Sequence, residues 1–284
     1  MTPRCAQSGG SRTSAANLGG SPLARARFGA AAILRGPQLA LQHRDLAVLC
    51  LVAAALYTAV WVLVLWQAAT WDQDVARWLV PPQGPRWFEV ALQAVARAAA
   101  YVLVWLLALA LAGPLALPMC GPLFSLIAER TVLAITGKAA PTLSWQLVIG
   151  ETVRSAVRGM VISLGQLAGV VMIAILAFGA GLLLPPLGAV LSATLMPCWN
   201  GLGMAAMAMS FALDNHRCAL AEQLRVVQEQ RAVMVGFGLA AQALTWLPLL
   251  MPLVVVAASA LVMDLHAIGA VRFADPESHQ RQPS

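Results

Sequence analysis

Residues 159–213 contain no Asp, Glu, Lys or Arg, and a water-soluble domain of 284 residues has no interior deep enough to hide such a run. Three further charge-free runs follow the same rule: 46–71, 98–128 and 232–263. Each exceeds the roughly 20 apolar residues that cross a bilayer core of about 30 Å. Charged residues make up 11% of the chain, against about 25% in soluble domains, so lipid is the solvent that this composition fits. Inside hydrocarbon every backbone polar group must find a partner within the chain, and helices do this segment by segment. The expected fold is therefore an all-α multi-pass integral membrane protein, with a membrane domain over 25–268 between disordered polar tails at 1–24 and 269–284.

A net charge of +6 could suggest nucleic acid, but the basic residues are scattered, with no dense run and no interleaved aromatics. They act as topology signals instead, and no nucleic-acid partner is expected. The five cysteines, at 5, 50, 120, 198 and 218, show neither metal-ligand nor disulfide spacing. No metal and no cofactor are expected. The chain carries no nucleophile elbow, HExxH, Walker loop or dinucleotide glycine pattern, so an enzyme is not expected either.

The first span, 46–69, is apolar on all sides, and Trp61, Trp66 and Trp71 suit the headgroup level. Arg4, Arg12, Arg25, Arg27, Arg35 and Arg44 precede it against Asp45 alone, which places the N-terminus in the cytoplasm. The loop up to Arg97 mixes Asp72, Asp74 and Glu89 with Arg77 and Arg86, a weaker basic bias suited to the outer face. The second span, 98–128, returns inward. Its Pro114, Pro118 and Pro122 fall at intervals of four and should kink or break the helix, making it a candidate pathway or hinge. A simple kink near the end of a span is the plainer alternative.

After Pro141, Thr142 or Ser144 can cap a helix with Glu151, Arg154 and Arg158 on one face, lying along the membrane surface. The long charge-free run divides at Gly179, Gly181, Pro185, Pro186 and Gly188 into a helical hairpin over 160–213. Its Gly165–Gly169 pair and its Gly201, Ala205 and Ser210 offer close contacts, most simply within the chain. Asp214 is placed to cap a second interfacial helix over 217–231, with Leu220, Leu224 and Val227 apolar and Glu222, Arg225 and Glu229 paired. The last run, 232–263, breaks at Pro248 and Pro252 into two short arms, which fit either a re-entrant hairpin or one kinked span.

Four strings, taken in order, resemble the CysZ-type sulfate permease family, which includes the etoposide-induced membrane proteins. They are Pro122-Leu-Phe-Ser-Leu-Ile-Ala-Glu129 with Gly137, Leu213-Asp-Asn-His216, Gly236-Phe-Gly238, and Leu247-Pro-Leu-Leu-Met-Pro252. The resemblance implies two long transmembrane helices, two hairpins that dip into the bilayer, cytoplasmic ends, oligomeric assembly, and sulfate passage without ATP hydrolysis. It favours the re-entrant form of the last hairpin. The family's Pro-Gly-x-Arg-Arg anion pattern meets Pro37-Gln-Leu-Ala-Leu41 here, so only the proline is kept.

A divalent anion entering a membrane needs helix amides and arginine forks in place of its water. Arg35, His43 and Arg44, beside Pro37, form the candidate anion-binding group; the competing role for them is a topogenic flank that snorkels to headgroups. Nothing ionisable lies inside the apolar runs, so a path would use backbone groups or the segment ends Glu129 and Asp214. At a helix start, however, Asp214 and Asn215 are ordinary caps. The expected function is an inner-membrane permease for a small inorganic anion, passive or ion-coupled, in a homo-oligomer; a membrane scaffold or assembly factor without substrate is the alternative.

Overall fold

A computed structural model describes residues 20–79, 87–137, 145–216, 218–245, 247–271 and 273. These are helical, and no strand occurs among them. The chain order is α1 (Pro22–Ala32), α2 (Arg35–Gln42), α3 (Arg44–Leu79), α4 (Trp87–Thr136), α5 (Trp145–Leu183), α6 (Pro185–Asn215), α7 (Leu220–Glu229), α8 (Arg231–Thr245), a 3-10 turn (Pro248–Leu250) and α9 (Met251–Ala267). Among the described residues four stretches are long and apolar enough to cross a membrane: Arg44–Trp71, Met119–Thr136, Val157–Leu183 and Pro248–Ala267. The chain is thus an all-helical, multi-pass membrane protein. α6 spans 31 residues but falls short in hydropathy, because Pro197, Trp199, Asn200 and its glycines dilute the apolar content.

The helices outrun their apolar runs. α3 has 36 residues and α4 has 50, so at 1.5 Å per residue α4 is about 75 Å long, well beyond a bilayer of about 45 Å. The polar stretch expected as an outer loop is correspondingly helical at both ends, and only the connection at 80–86 lies outside the described residues. Charge marks where hydrocarbon stops; helical hydrogen bonding continues into water. The prolines do not break α4 either: one helix runs through Pro114, Pro118 and Pro122. Neighbouring helices allow a transmembrane helix to tolerate lost amide donors. Of the three, Pro122 is half-buried, and the side chains of Pro114 and Pro118 lie outside the described residues.

The expected surface helix is also corrected. Residues 145–158 are continuous with the first arm of the hairpin in the 39-residue α5, since no breaker separates Arg158 from the apolar run. Pro141, Thr142 and Ser144, and the side chains of Glu151 and Arg154, lie outside the described residues. The turn between α5 and α6 falls at Leu184, where the glycine and proline cluster put it, and Pro185 and Pro186 open α6. The arms are antiparallel: Gly181 meets Gly188, Gly169 lies under the Trp199 indole, and Gly203 lies under Gln166. The Trp199 Nε1–H donates to the Gln166 carbonyl at 2.9 Å. Gly165 faces open space, so only Gly169 of the expected pair packs within the chain.

Gly236 and Gly238 show why that short string matters. Residues two apart point to opposite sides of a helix. A Cβ on Gly236 would collide with the Ala26 carbonyl of α1, and one on Gly238 with the Gly201 carbonyl of α6. α8 therefore sits backbone to backbone between α1 and α6, with Phe237 fully buried. Gly29 of α1 and Gly36 of α2 make the same close approach, to α8 and to the Leu253 carbonyl of α9.

α9 is the central helix. Its residues 254–262 are all buried, against α2, α4 and α6. Pro252 starts this helix where the sequence expectation had it break one, because a missing amide costs nothing in the first turn. The break itself lies at the Pro248–Leu250 turn, at the first of the two expected prolines. The two arms, of 15 and 17 residues, pack mostly on other helices, with little contact to each other. The rest of the core joins α3, α4 and α6 through Tyr57, Phe124 and Phe211, with ring centroids 5.8 Å and 5.3 Å apart.

Candidate functional site

Two ion pairs and two histidines meet at the ends of α6 and α9. α9 terminates in Asp264, Leu265 and His266, and Gly269, at φ 75°, reverses the chain. The Asp264 carboxylate pairs with the Arg35 guanidinium from the first turn of α2. Between α2, α4 and α9 lies a cavity of about 250 Å³, lined by Arg35, Gln38, Leu39, Gln42, Ile135, Ala260 and Asp264. At about 30 Å³ per water it has room for a small anion with part of its hydration shell. Arg35 is half-exposed, so its pair with Asp264 is of the weakly held kind, worth about 0–1 kcal/mol.

A second ion pair is partly buried. Arg158 of α5 meets Asp214 at the end of α6, with side-chain exposures of 17% and 9%. The Gln223 Nε2 of α7 donates to the same Asp214 oxygen and to the Cys218 carbonyl. Asp214 thus joins α5, α6 and α7; it does not cap the helix that follows. That helix starts three residues later than expected, with Ala219 as its N-cap and the Glu222 carboxylate accepting the Ala219 N–H at 3.0 Å. It ends at Glu229, because Gln230 leaves helical geometry and α8 begins at Arg231. Arg225 and Glu229 pair at 2.8 Å as the spacing suggested, whereas Leu224 is exposed.

Next to Asp214, Asn215 and Ser125 exchange hydrogen bonds. The Ser125 hydroxyl donates to Asn215 Oδ1 at 2.6 Å, and Asn215 Nδ2 donates to the Ser125 carbonyl at 3.0 Å. His216 comes next and stacks on Phe273. Burial, and then the neighbouring His266, push the His216 pKa down to about 4.

The candidate anion group does not converge. Arg35 lines the cavity, and Pro37 is half-buried in α2. His43, extended in backbone, links α2 to α3, which Arg44 opens; both side chains are exposed and lie outside the cavity lining. The eight residues of α2 put about 12 Å between Arg35 and that link. Glu129 is half-buried inside α4, past the level of the Ser125–Asn215 bond. Among the described residues no three His, Cys, Asp or Glu side chains could hold a metal ion. Sequence reasoning missed Gln38, Gln42, Asp264, His266 and Phe273. One signal was available: the triplet Asp-x-His occurs twice, at 214–216 and 264–266, each time closing an apolar run.

Among the described residues, four apolar stretches of bilayer length define a polytopic α-helical membrane protein. The chain belongs to the family described as Sulfate transporter CysZ/Etoposide-induced protein 2.4, whose model matches residues 31–255. The matched part runs from the end of α1 into α9 and stops short of Asp264, His266 and Phe273. No individual curated protein matches the chain.

Proposed function

We propose that the chain is an inner-membrane permease for a small divalent anion, sulfate being the first candidate, working without ATP hydrolysis and with its N-terminus in the cytoplasm. The observation that carries this reading is the cavity where Arg35, Gln38 and Gln42 meet Asp264. In the resting form Asp264 neutralises Arg35. An arriving dianion offers more charge and more acceptor oxygens than one carboxylate, so it displaces Asp264 and takes the guanidinium fork. The Gln38 and Gln42 amides supply further donors in place of water. Homo-oligomeric assembly would cover the outer face of α5, whose apolar span is mostly exposed within one chain.

Radiolabelled sulfate uptake into proteoliposomes tests the proposal: saturable uptake above that of protein-free vesicles supports it, and uptake equal to theirs overturns it. A specific observation favours a second reading, a membrane scaffold without substrate. The arginine of the cavity is already neutralised by Asp264, as a purely structural arginine would be.

A further inference from the structure

α6 and α9 end in the same triplet, Asp214-Asn-His216 and Asp264-Leu-His266. In each, the aspartate takes an arginine from an earlier helix, Arg158 or Arg35. The two histidines converge on one ring. Phe273 stacks on His216 with centroids 3.7 Å apart and planes 12° off parallel, and meets His266 at 4.4 Å and 31°. The chain reaches this position through the left-handed Gly269, after which the Ala270 and Val271 N–H groups donate to the Leu265 carbonyl at 2.8 Å and 3.2 Å. The Val271 carbonyl lies 2.8 Å from His266 Nδ1, and Val271 is buried. The segment after α9 is thus a strap across two helix ends, fastened by two imidazoles.

We propose that this strap is a proton-operated latch on the Arg35 cavity. Closed, it pins the last turn of α9 and so holds Asp264 against Arg35; protonation of His216 loosens the strap, frees that turn and leaves the guanidinium open to an anion. Only this consequence for the anion rests on the permease reading; the latch itself does not.

The chemistry follows from what surrounds His216. Among the described residues its buried Nε2 has no hydrogen-bond partner, so a charge there has none of them to replace its water. Among the described side chains, the charged groups on the ends of the elements around it are Glu129 and Arg130 of α4, Arg158 of α5, Asp214, the α7 residues Glu222, Arg225 and Glu229, Arg231 of α8, Asp264 with Arg35, and His266. Of these, His266 is the one whose charge acts on His216, and it opposes protonation. A strapped His216 therefore holds a proton less tightly than a free imidazole, and acid favours the open form. With a strapped pKa of about 4 and a free value of about 6.5, lowering the pH to about 5 shifts the latch toward opening by up to about 30-fold.

Hydrogen–deuterium exchange on the full chain in lipid nanodiscs tests this, at about pH 7.5 and about pH 5. Each wild-type rate is divided by that of His216→Phe at the same pH, since phenylalanine can stack on Phe273 but binds no proton. The amides of Ala270 and Val271 should exchange up to about 30-fold faster in wild type at the lower pH and equally at the higher one. A ratio unchanged between the two pH values overturns the latch. Should His216→Phe fail to fold, Phe273→Ala serves: its strap should be unprotected at both pH values, and protection equal to wild type overturns the latch. Sulfate uptake by the same protein decides the permease reading separately. Its complete absence contradicts that reading and leaves the exchange result to decide the latch.

Discussion

Asn215 and Ser125, 90 residues apart in sequence, hold each other by two hydrogen bonds, so the end of α6 is tied to the last quarter of α4. They belong to two of the strings that carry the family resemblance, and the bond gives those strings a physical reason to occur together. Asn215→Ala should lower stability by about 1–3 kcal/mol, because it removes the partner of the partly buried Ser125 hydroxyl. Thermal unfolding in detergent measures this, and an unchanged midpoint would show the bonds to be dispensable.

The two kinds of ion pair should respond differently to mutation. Arg158→Ala or Asp214→Asn strands a partner in a partly buried site and should cost about 1–3 kcal/mol. Replacing both with apolar residues of similar volume, Arg158→Met with Asp214→Leu, should recover much of that loss. Glu229→Ala removes an exposed partner and should shift stability by less than about 1 kcal/mol. Chemical denaturation of the four variants separates these outcomes.

Glycines at helix crossings give a paired prediction. Gly238→Ala places a Cβ on the Gly201 carbonyl, which cannot retreat without parting α6 from α8, so folded yield should collapse. Gly165→Ala meets open space and should gain up to about 1 kcal/mol from better helix propensity. Size-exclusion profiles and unfolding midpoints would show the contrast.

The apolar runs announced the membrane, since hydrocarbon excludes charge, and the hairpin turn at Leu184 was legible because Gly181, Pro185 and Pro186 around it disrupt helices. Helix ends beyond the lipid were not legible, because α3, α4 and α5 run on into polar sequence where nothing forces them to stop. Arg35 could be singled out as a cation near a helix start, but its partner Asp264 lies 229 residues away, and only the packing of α2 on α9 brings the two together. His43 and Arg44, close to Arg35 in sequence, are separated from it by the length of α2.

Acid should destabilise the protein through His216. Its folded pKa of about 4 lies below the ordinary value near 6.5. The unfolded chain therefore binds the proton more tightly, and stability present above about pH 6.5 is lost as the pH falls toward about 4. The unfolding midpoint of wild type should drop over that window more than that of His216→Phe, and parallel curves would contradict the assignment.

Central to the proposed permease is that Arg35 receives the anion when Asp264 gives way. Initial rates of sulfate uptake by proteoliposomes containing wild type, Arg35→Ala or Asp264→Asn test this directly. Saturable uptake in wild type, at least about tenfold less in Arg35→Ala, and half-saturation at lower sulfate in Asp264→Asn is the predicted result, since a charge-assisted contact of about 1.4 kcal/mol or more is removed in one case and a competitor in the other. Uptake by Arg35→Ala equal to that of wild type would contradict it.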